Sequence, residues 1–311
     1  MPKDFLSLLD WSRDEILAML DRARELKALH KRGQRPQTLQ GRTLAMYFEK
    51  QSLRTHVTFE AGMTQLGGHA LLLLPEQVGI GTRETPADVA NNLSRWVDCI
   101  LARTYSHALV EELARAAAIP VVNGLTDLLH PCQAMADLVT IAERVELTKA
   151  RIAYVGDGNN VANSLLEAAA VLGLELRLGI PSSHRPALRI RRLADAAAAA
   201  SGARITLVDD PSEAVRGADF VYTDVWTSMG QEEEEQQRRA LFEPYQVNAR
   251  LMKHAPDAFV MHCLPAHRGQ EITDDVLDGP RSIVFDQAEN RLHAQKAVLE
   301  RLLLGPRPAQ G

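Results

Sequence analysis

Several short stretches of this chain gather side chains that can do chemistry. "FVMHCLPAHRG", residues 259–269, packs His262, Cys263 and His267 around Pro265. A metal site needs three or four converging ligands, and on a strand His262 and its neighbour Cys263 are expected to point to opposite faces. Cys99 and Cys132 offer no CxxC partner, so structural zinc is disfavoured and no metal is assigned. A nucleophilic Cys263 would need a base and a covalent intermediate, and spacing alone leaves that open.

"FEKQSLRTHVTFEAG" sets Ser52, Arg54 and Thr55 between a predicted strand and a predicted helix. The unbonded N–H groups of a helix start favour an anion, Arg54 is a bidentate donor, and the two hydroxyls suit phosphate oxygens. Taken alone, an N-cap serine beside a surface arginine is slightly the better reading. "HPCQAMADL" supplies His130, able to donate to a carbonyl oxygen, and Gln133, able to read an amide. A helix start with Pro131 in its first turn explains the same residues equally well.

"RIAYVGDGNNVANS" begins like a dinucleotide fingerprint, but Val161 holds the third glycine position and no acid closes the next strand. What is left is a tight turn carrying Asn159 and Asn160, suited to the polar groups of an α-amino acid or simply to capping. In "FVYTDVWTSMGQEEEE", Asp224 closes a strand, where it can hold an ammonium or cap a helix, and Ser228, Met229 and Gly230 follow in a loop. The acids 232–235 read as the solvated start of a helix.

These clusters need elements to position them. Short apolar runs start at 43, 69, 99 and 119, and a second series starts at 151, 175, 204, 220, 258 and 282, each alternating with helical spacing. That pattern predicts two α/β domains, each a parallel sheet flanked by helices. The polar clusters begin where predicted strands end, the place where open parallel sheets bind ligands, so an interdomain cleft is the expected active site. "CQAMADLVTIAERVEL" is expected to be a helix at the junction. The domains are placed at 1–148 and 149–287, with a terminal helix over about 288–311 returning to the first.

A chain of 311 residues accommodates about two domains of ordinary size. Hydrophobic content of 46% and charged content of 24% are those of a globular protein, and a net charge of −5 provides no general footprint for nucleic acid. An odd, dispersed set of three cysteines predicts reduced thiols. No run suggests a signal peptide or a membrane span, so a cytoplasmic location is expected.

Read together, "FEKQSLRT", "LARTYSH", "HPCQAMADL", "GDGNN", "DVWTSMGQE", "HCLPAHRG" and "AENRLHAQKA" resemble, in order and over almost the whole chain, the ornithine carbamoyltransferases of the aspartate/ornithine carbamoyltransferase family. The resemblance implies that Ser52, Leu53, Arg54 and Thr55, with Arg103, hold the phosphate of carbamoyl phosphate. It implies that His130 and Gln133 hold the carbamoyl group, that Gln77 and Arg291 also contact this substrate, and that the Leu264 carbonyl meets the carbamoyl nitrogen beside Cys263. For ornithine the matching residues are Asn160, Asp224, Ser228 and Met229. Leu264–Pro265 is expected to be cis. Leu53 stands where the family commonly has threonine, which removes a hydroxyl and keeps the backbone amide.

The implied reaction moves the carbamoyl group to the δ-amine of L-ornithine, giving L-citrulline and phosphate, with no metal or organic cofactor. Arg54, Arg103, His130, Asp224 and Cys263 are the expected catalytic residues, with Cys263 orienting the amine without covalent bonding and the segment from Asp224 to Gly230 closing over carbamoyl phosphate. A homotrimer and a place in arginine biosynthesis are implied. The alternatives are a carbamoyltransferase for another amine, catabolic phosphorolysis of citrulline, a nucleotide-dependent oxidoreductase and a catalytically silent binding protein.

Overall fold

The computed structural model describes residues 4–227 and 235–306. Ser228, Met229, Gly230 and the acids 232–234 therefore lie outside the described residues. The chain divides into two compact units, Met1–Val139 with Glu289–Gly311, and Thr140–Ala288.

In the first unit α1 (Arg13–Lys31) precedes β1 (Thr43–Phe48), α2 (Leu53–Gln65), β2 (His69–Leu73), α3 (Pro75–Val78) and α4 (Pro86–Trp96). Then come β3 (Cys99–Arg103), α5 (His107–Ala116), β4 (Val121–Leu125) and α6 (Pro131–Ala142), within which the division between units falls. The strands form one parallel sheet in the order β2-β1-β3-β4. β3 and β4 are buried along their whole length, which is why they read as continuous apolar runs and not as alternating ones. α1 starts at a capping box between Ser12 and Glu15, and α2 at Ser52, burying Thr55, Phe59 and Met63 at helical spacing. The strand order reverses between β1 and β3. Residues 49–55 leave the end of β1 there, and Arg103, paired in register with Phe48, ends β3.

The second unit runs through β5 (Arg151–Val155), α7 (Asn160–Leu172), β6 (Glu175–Gly179), α8 (Leu188–Ser201), β7 (Arg204–Val208) and α9 (Pro211–Val215). It continues with β8 (Phe220–Thr223), α10 (Glu235–Phe242), α11 (Ala249–Met252), β9 (Phe259–His262) and α12 (Asp274–Leu277). Five parallel strands lie in the order β7-β6-β5-β8-β9, with the reversal between β5 and β8. The turn after β5 passes so close to its neighbours that a Cβ on Gly158 would sit 2.3 Å from the His184 carbonyl oxygen.

One expected strand does not form. "SIVFDQ" makes an isolated bridge between Ser282 and Val260 and then opens α13 (Val284–Leu304), with Asp286 in its first turn. A short apolar run looks alike as a strand and as a buried helix start, and an early acid suits the positive end of a helix. From Glu289 onward α13 belongs to the first unit, where Arg22 makes a buried ion pair with Glu300.

Candidate active site

In the first unit the residues after β1 and at the end of β3 meet the start of α6 and the middle of α13. Ser52 caps α2, its hydroxyl accepting the Thr55 N–H at 3.2 Å and donating to the Thr55 hydroxyl at 3.3 Å. Thr55, fully buried, accepts from Arg103 Nη1 and from Arg291 Nη2, each at 3.1 Å. Arg291 Nη1 also donates to Gln133 Oε1 at 2.6 Å, and Gln133 Nε2 donates to Asp137 Oδ1 at 2.8 Å. Arg103 Nε is fixed by the Lys50 carbonyl at 3.1 Å. Thr55, Gln133 and the Lys50 carbonyl are neutral acceptors, which orient a guanidinium without neutralising it, as an anion site requires.

His130, at the start of α6, is buried among these cations. Burial first, and then Arg291, Arg103, Arg54 and Lys50, hold its imidazole well below the ordinary histidine range. The ring is neutral at pH 7 and can donate an N–H to a carbonyl oxygen without adding charge. Arg54 is half-buried in the first turn of α2, while the Leu53 side chain is 76% exposed, so position 53 has its backbone N–H to offer an anion. Gln77 is exposed on α3 and its Oε1 accepts the Leu74 N–H at 2.9 Å, a local cap apart from the bonds that tie Thr55, Arg103, Gln133 and Arg291 together.

The second unit builds its cluster at the ends of β5, β8 and β9. Asp224, buried just beyond β8, accepts the Cys263 thiol on Oδ1 at 2.8 Å and Asn159 Nδ2 on Oδ2 at 2.7 Å. Asn159 caps α7, its Oδ1 accepting the N–H groups of Val161 and Ala162 and, at 3.3 Å, the Tyr154 hydroxyl. Burial and then Asp224 push the Tyr154 phenol well above its ordinary range, so it stays a donor. Asn160 is the first residue of α7 and is half-buried. Asp157 is paired with Arg238, whose Nε also donates to the Trp226 carbonyl at 2.7 Å. Burial nevertheless pushes the Asp157 carboxyl up to about 6.

The "HCLP" segment departs from the expected strand alternation. β9 ends at His262, so Cys263 already lies in the following loop, and donor atoms of Asp224, His262 and Cys263 fall within 4.8 Å of one another. His262 is nevertheless poorly placed to bind a metal. Its Nδ1 accepts the Leu264 N–H at 2.8 Å, so Nε2 carries the proton that faces buried Glu271 at 3.0 Å. This histidine, to which the sequence assigns no role, fixes Leu264 at φ +60° just before a cis bond to Pro265.

The structure therefore brings together Ser52, Thr55, Arg103, His130, Gln133 and Arg291 in one unit, and Asp224, Cys263 and Leu264 in the other. Sequence reasoning missed Lys50, Tyr154, Asp157, Arg238 and Glu271 and saw Asn159 only as a polar turn residue. A signal existed for Asn159, because the residue before a helix is its natural cap. Arg238 and Glu271 lie outside the turns where ligand chemistry was sought.

A family model for the carbamoyl-P binding domain of aspartate/ornithine carbamoyltransferase matches residues 3–143, and one for the Asp/Orn binding domain matches residues 148–302. The ornithine carbamoyltransferase of Methanoculleus marisnigri is 52% identical over 307 residues, 98% of each chain. A Pyrococcus furiosus protein named as an anabolic ornithine carbamoyltransferase is 51% identical over 305 residues, 97% of each chain. The solved structure of ornithine carbamoyltransferase from Pyrococcus furiosus matches with a TM-score of 0.95 at 50% identity, covering 98% of each chain.

Proposed function

Since the chain belongs to the aspartate/ornithine carbamoyltransferase family, we propose that it transfers the carbamoyl group of carbamoyl phosphate to the δ-amine of L-ornithine, giving L-citrulline and phosphate, in arginine biosynthesis. The observation that carries the choice of amine is the Asp224–Cys263 pair. A buried carboxylate suits a cationic substrate and would repel the second carboxylate of aspartate.

Carbamoyl phosphate belongs on the first unit. The amides at the start of α2, with Ser52, Arg54, Thr55 and Arg103, hold the phosphate; His130, Gln133 and Arg291 face the carbamoyl group, and the Leu264 carbonyl accepts from its nitrogen. Ornithine belongs on the second unit, with Asn160 and Asp224 as described ligands and Ser228 and Met229 outside the described residues. Gln77 stays in the reading on the strength of the resemblance alone.

The amine must attack as a free base, although a lysine-like amine has a pKa of about 10.4 in water. Its nitrogen bonds to the carbamoyl carbon, the carbon–oxygen bond to phosphate breaks, and the proton lost from nitrogen leaves with the phosphate. Arg54 and Arg103 stabilise charge on the leaving group, and neutral His130 stabilises the carbonyl oxygen. Asp224 and Cys263 aim the amine, with no covalent bond to sulfur. The chemistry calls on no metal or organic cofactor.

The resemblance implies a homotrimer, and apolar surface on the first unit supports self-association. Leu71 and Leu72 on edge strand β2 and Trp96, 71% exposed, offer area for another copy of the chain. Among the described residues no helix is long and apolar enough to cross a membrane, and three free thiols suit a reducing cytoplasm.

Mass spectrometry after incubation with carbamoyl phosphate and a panel of L-ornithine, N-acetylornithine, putrescine and L-aspartate tests the reading. Citrulline is the expected product, and carbamoyl-aspartate or no product would overturn it.

A further inference from the structure

An acid that aims an amine must itself be held in one rotamer, without losing the charge that attracts the amine. Asp224 is gripped from two sides, by the Cys263 thiol on Oδ1 and by Asn159 Nδ2 on Oδ2. The Asn159 amide cannot turn round, because its Oδ1 faces only donors: Val161 N–H at 3.0 Å, Ala162 N–H at 3.1 Å and the Tyr154 hydroxyl at 3.3 Å. Nδ2 is thereby committed to the carboxylate. A neutral amide orients the acid and leaves its charge in place, whereas Arg238, the partner of the nearby Asp157, is engaged by that acid and the Trp226 carbonyl.

We infer that Asn159 is a positioning residue for the amino-acid substrate, carrying the fixed geometry of the first turn of α7 to Asp224. Adjacent asparagines then divide the work: Asn160 faces the substrate, and Asn159 sets the acid beside it. The inference rests on the carbamoyl-transfer reading, and it goes beyond that reading in assigning a residue that need not touch substrate.

The test separates this role from capping. Asn159→Ser and Asn159→Asp each keep an oxygen acceptor for the α7 amides, so both variants should melt within a few degrees of wild type. Neither keeps the amide N–H that reaches Asp224: aspartate has no donor, and the shorter serine places its hydroxyl at the α7 amides. A hydrogen bond to a charged group is large enough that its loss should raise the KM for L-ornithine about tenfold or more in Asn159→Ser, and further in Asn159→Asp, where two acids repel. The KM for carbamoyl phosphate should stay within about twofold of wild type.

A second readout does not depend on turnover. A carboxylate beside a thiol disfavours the thiolate, the species that alkylates, and a loosened Asp224 should let iodoacetamide modify Cys263 in Asn159→Ser about threefold faster or more. Cys99 and Cys132 are buried, so mass spectrometry resolves the half-buried Cys263. If wild type makes citrulline while Asn159→Ser and Asn159→Asp leave both the ornithine KM and the alkylation rate unchanged, the inference is overturned. If wild type makes no citrulline, the carbamoyl-transfer reading fails, and unchanged alkylation would then sink the positioning role separately.

Discussion

The Cys263 thiol donates to Asp224 Oδ1 at 2.8 Å, joining loops that leave the ends of the neighbouring parallel strands β9 and β8. On the proposed reading the cysteine holds the acid and aims the amine, with no covalent bond to sulfur. Cys263→Ala should raise the KM for ornithine about tenfold, and Cys263→Ser, which keeps a donor, should lose less. Asp224→Asn should lower kcat/KM for ornithine about a hundredfold while carbamoyl phosphate still binds. Steady-state kinetics with each substrate varied decides it, and wild-type values for Cys263→Ala would remove the orienting role.

Thr55 serves two arginines with one hydroxyl. Thr55→Val conserves shape and strips Arg103 and Arg291 of a buried acceptor, a change that costs about 1–3 kcal/mol. Affinity for inorganic phosphate, measured by calorimetry, should fall about tenfold or more, with little change in the KM for ornithine. Equal losses for both substrates would point to general unfolding of the site.

Two buried histidines make stability fall with acid. His130 is held well below its ordinary range, and His293 at about 3, by burial first and then Lys296, His30, Lys27 and Lys31, with Glu289 at 3.8 Å on the other side. Below about pH 6.5 the unfolded chain takes up protons that the folded histidines refuse, so their contribution is present above that pH and shrinks as pH falls toward the folded values. Asp157, pushed up to about 6, acts in the opposite sense between about pH 4 and 6, where the folded protein holds an extra proton. His30, held below its ordinary range by burial first and then Arg35, adds to the histidine side, and Asp4, raised by burial, joins Asp157. Guanidinium midpoints should drop from pH 7 to pH 5, and His293→Leu should flatten the drop.

Gly158→Ala tests the turn that carries the asparagines. The added methyl would meet the His184 carbonyl oxygen at 2.3 Å and the Pro186 nitrogen at 2.5 Å, both backbone atoms. Destabilisation of about 1–3 kcal/mol is expected, together with a raised ornithine KM. Thermal melting and kinetics report the two effects separately.

The two sheets were legible because each strand is a short apolar run ended by polar residues, and in parallel sheets such ends collect ligands. Both reversals of strand order coincide with the clusters found in this way, residues 49–55 with Arg103 and Asp157–Asn160 with Asp224. "SIVFDQ" misled because six apolar-rich residues carry too little periodicity to separate strand from helix. His262 and Cys263 misled because alternation holds only inside a strand, and β9 stops between them. Arg238 and Glu271 were invisible for another reason. Their partners, Asp157 and His262, are 81 and 9 residues away, and nothing in local spacing announces a buried hydrogen-bonded pair.

The bond from Arg291 to Thr55 spans 236 positions of the chain. During synthesis from the N-terminus, the sheet of the first unit and the capped start of α2 are made long before the arginine that completes their anion pocket. An unfinished chain thus offers Ser52 and Arg103 without the guanidinium that Thr55 and Gln133 are built to hold. On the proposed reading, a protein truncated before residue 291 is expected to hold carbamoyl phosphate more weakly than the full chain, a loss that calorimetry on the two would measure.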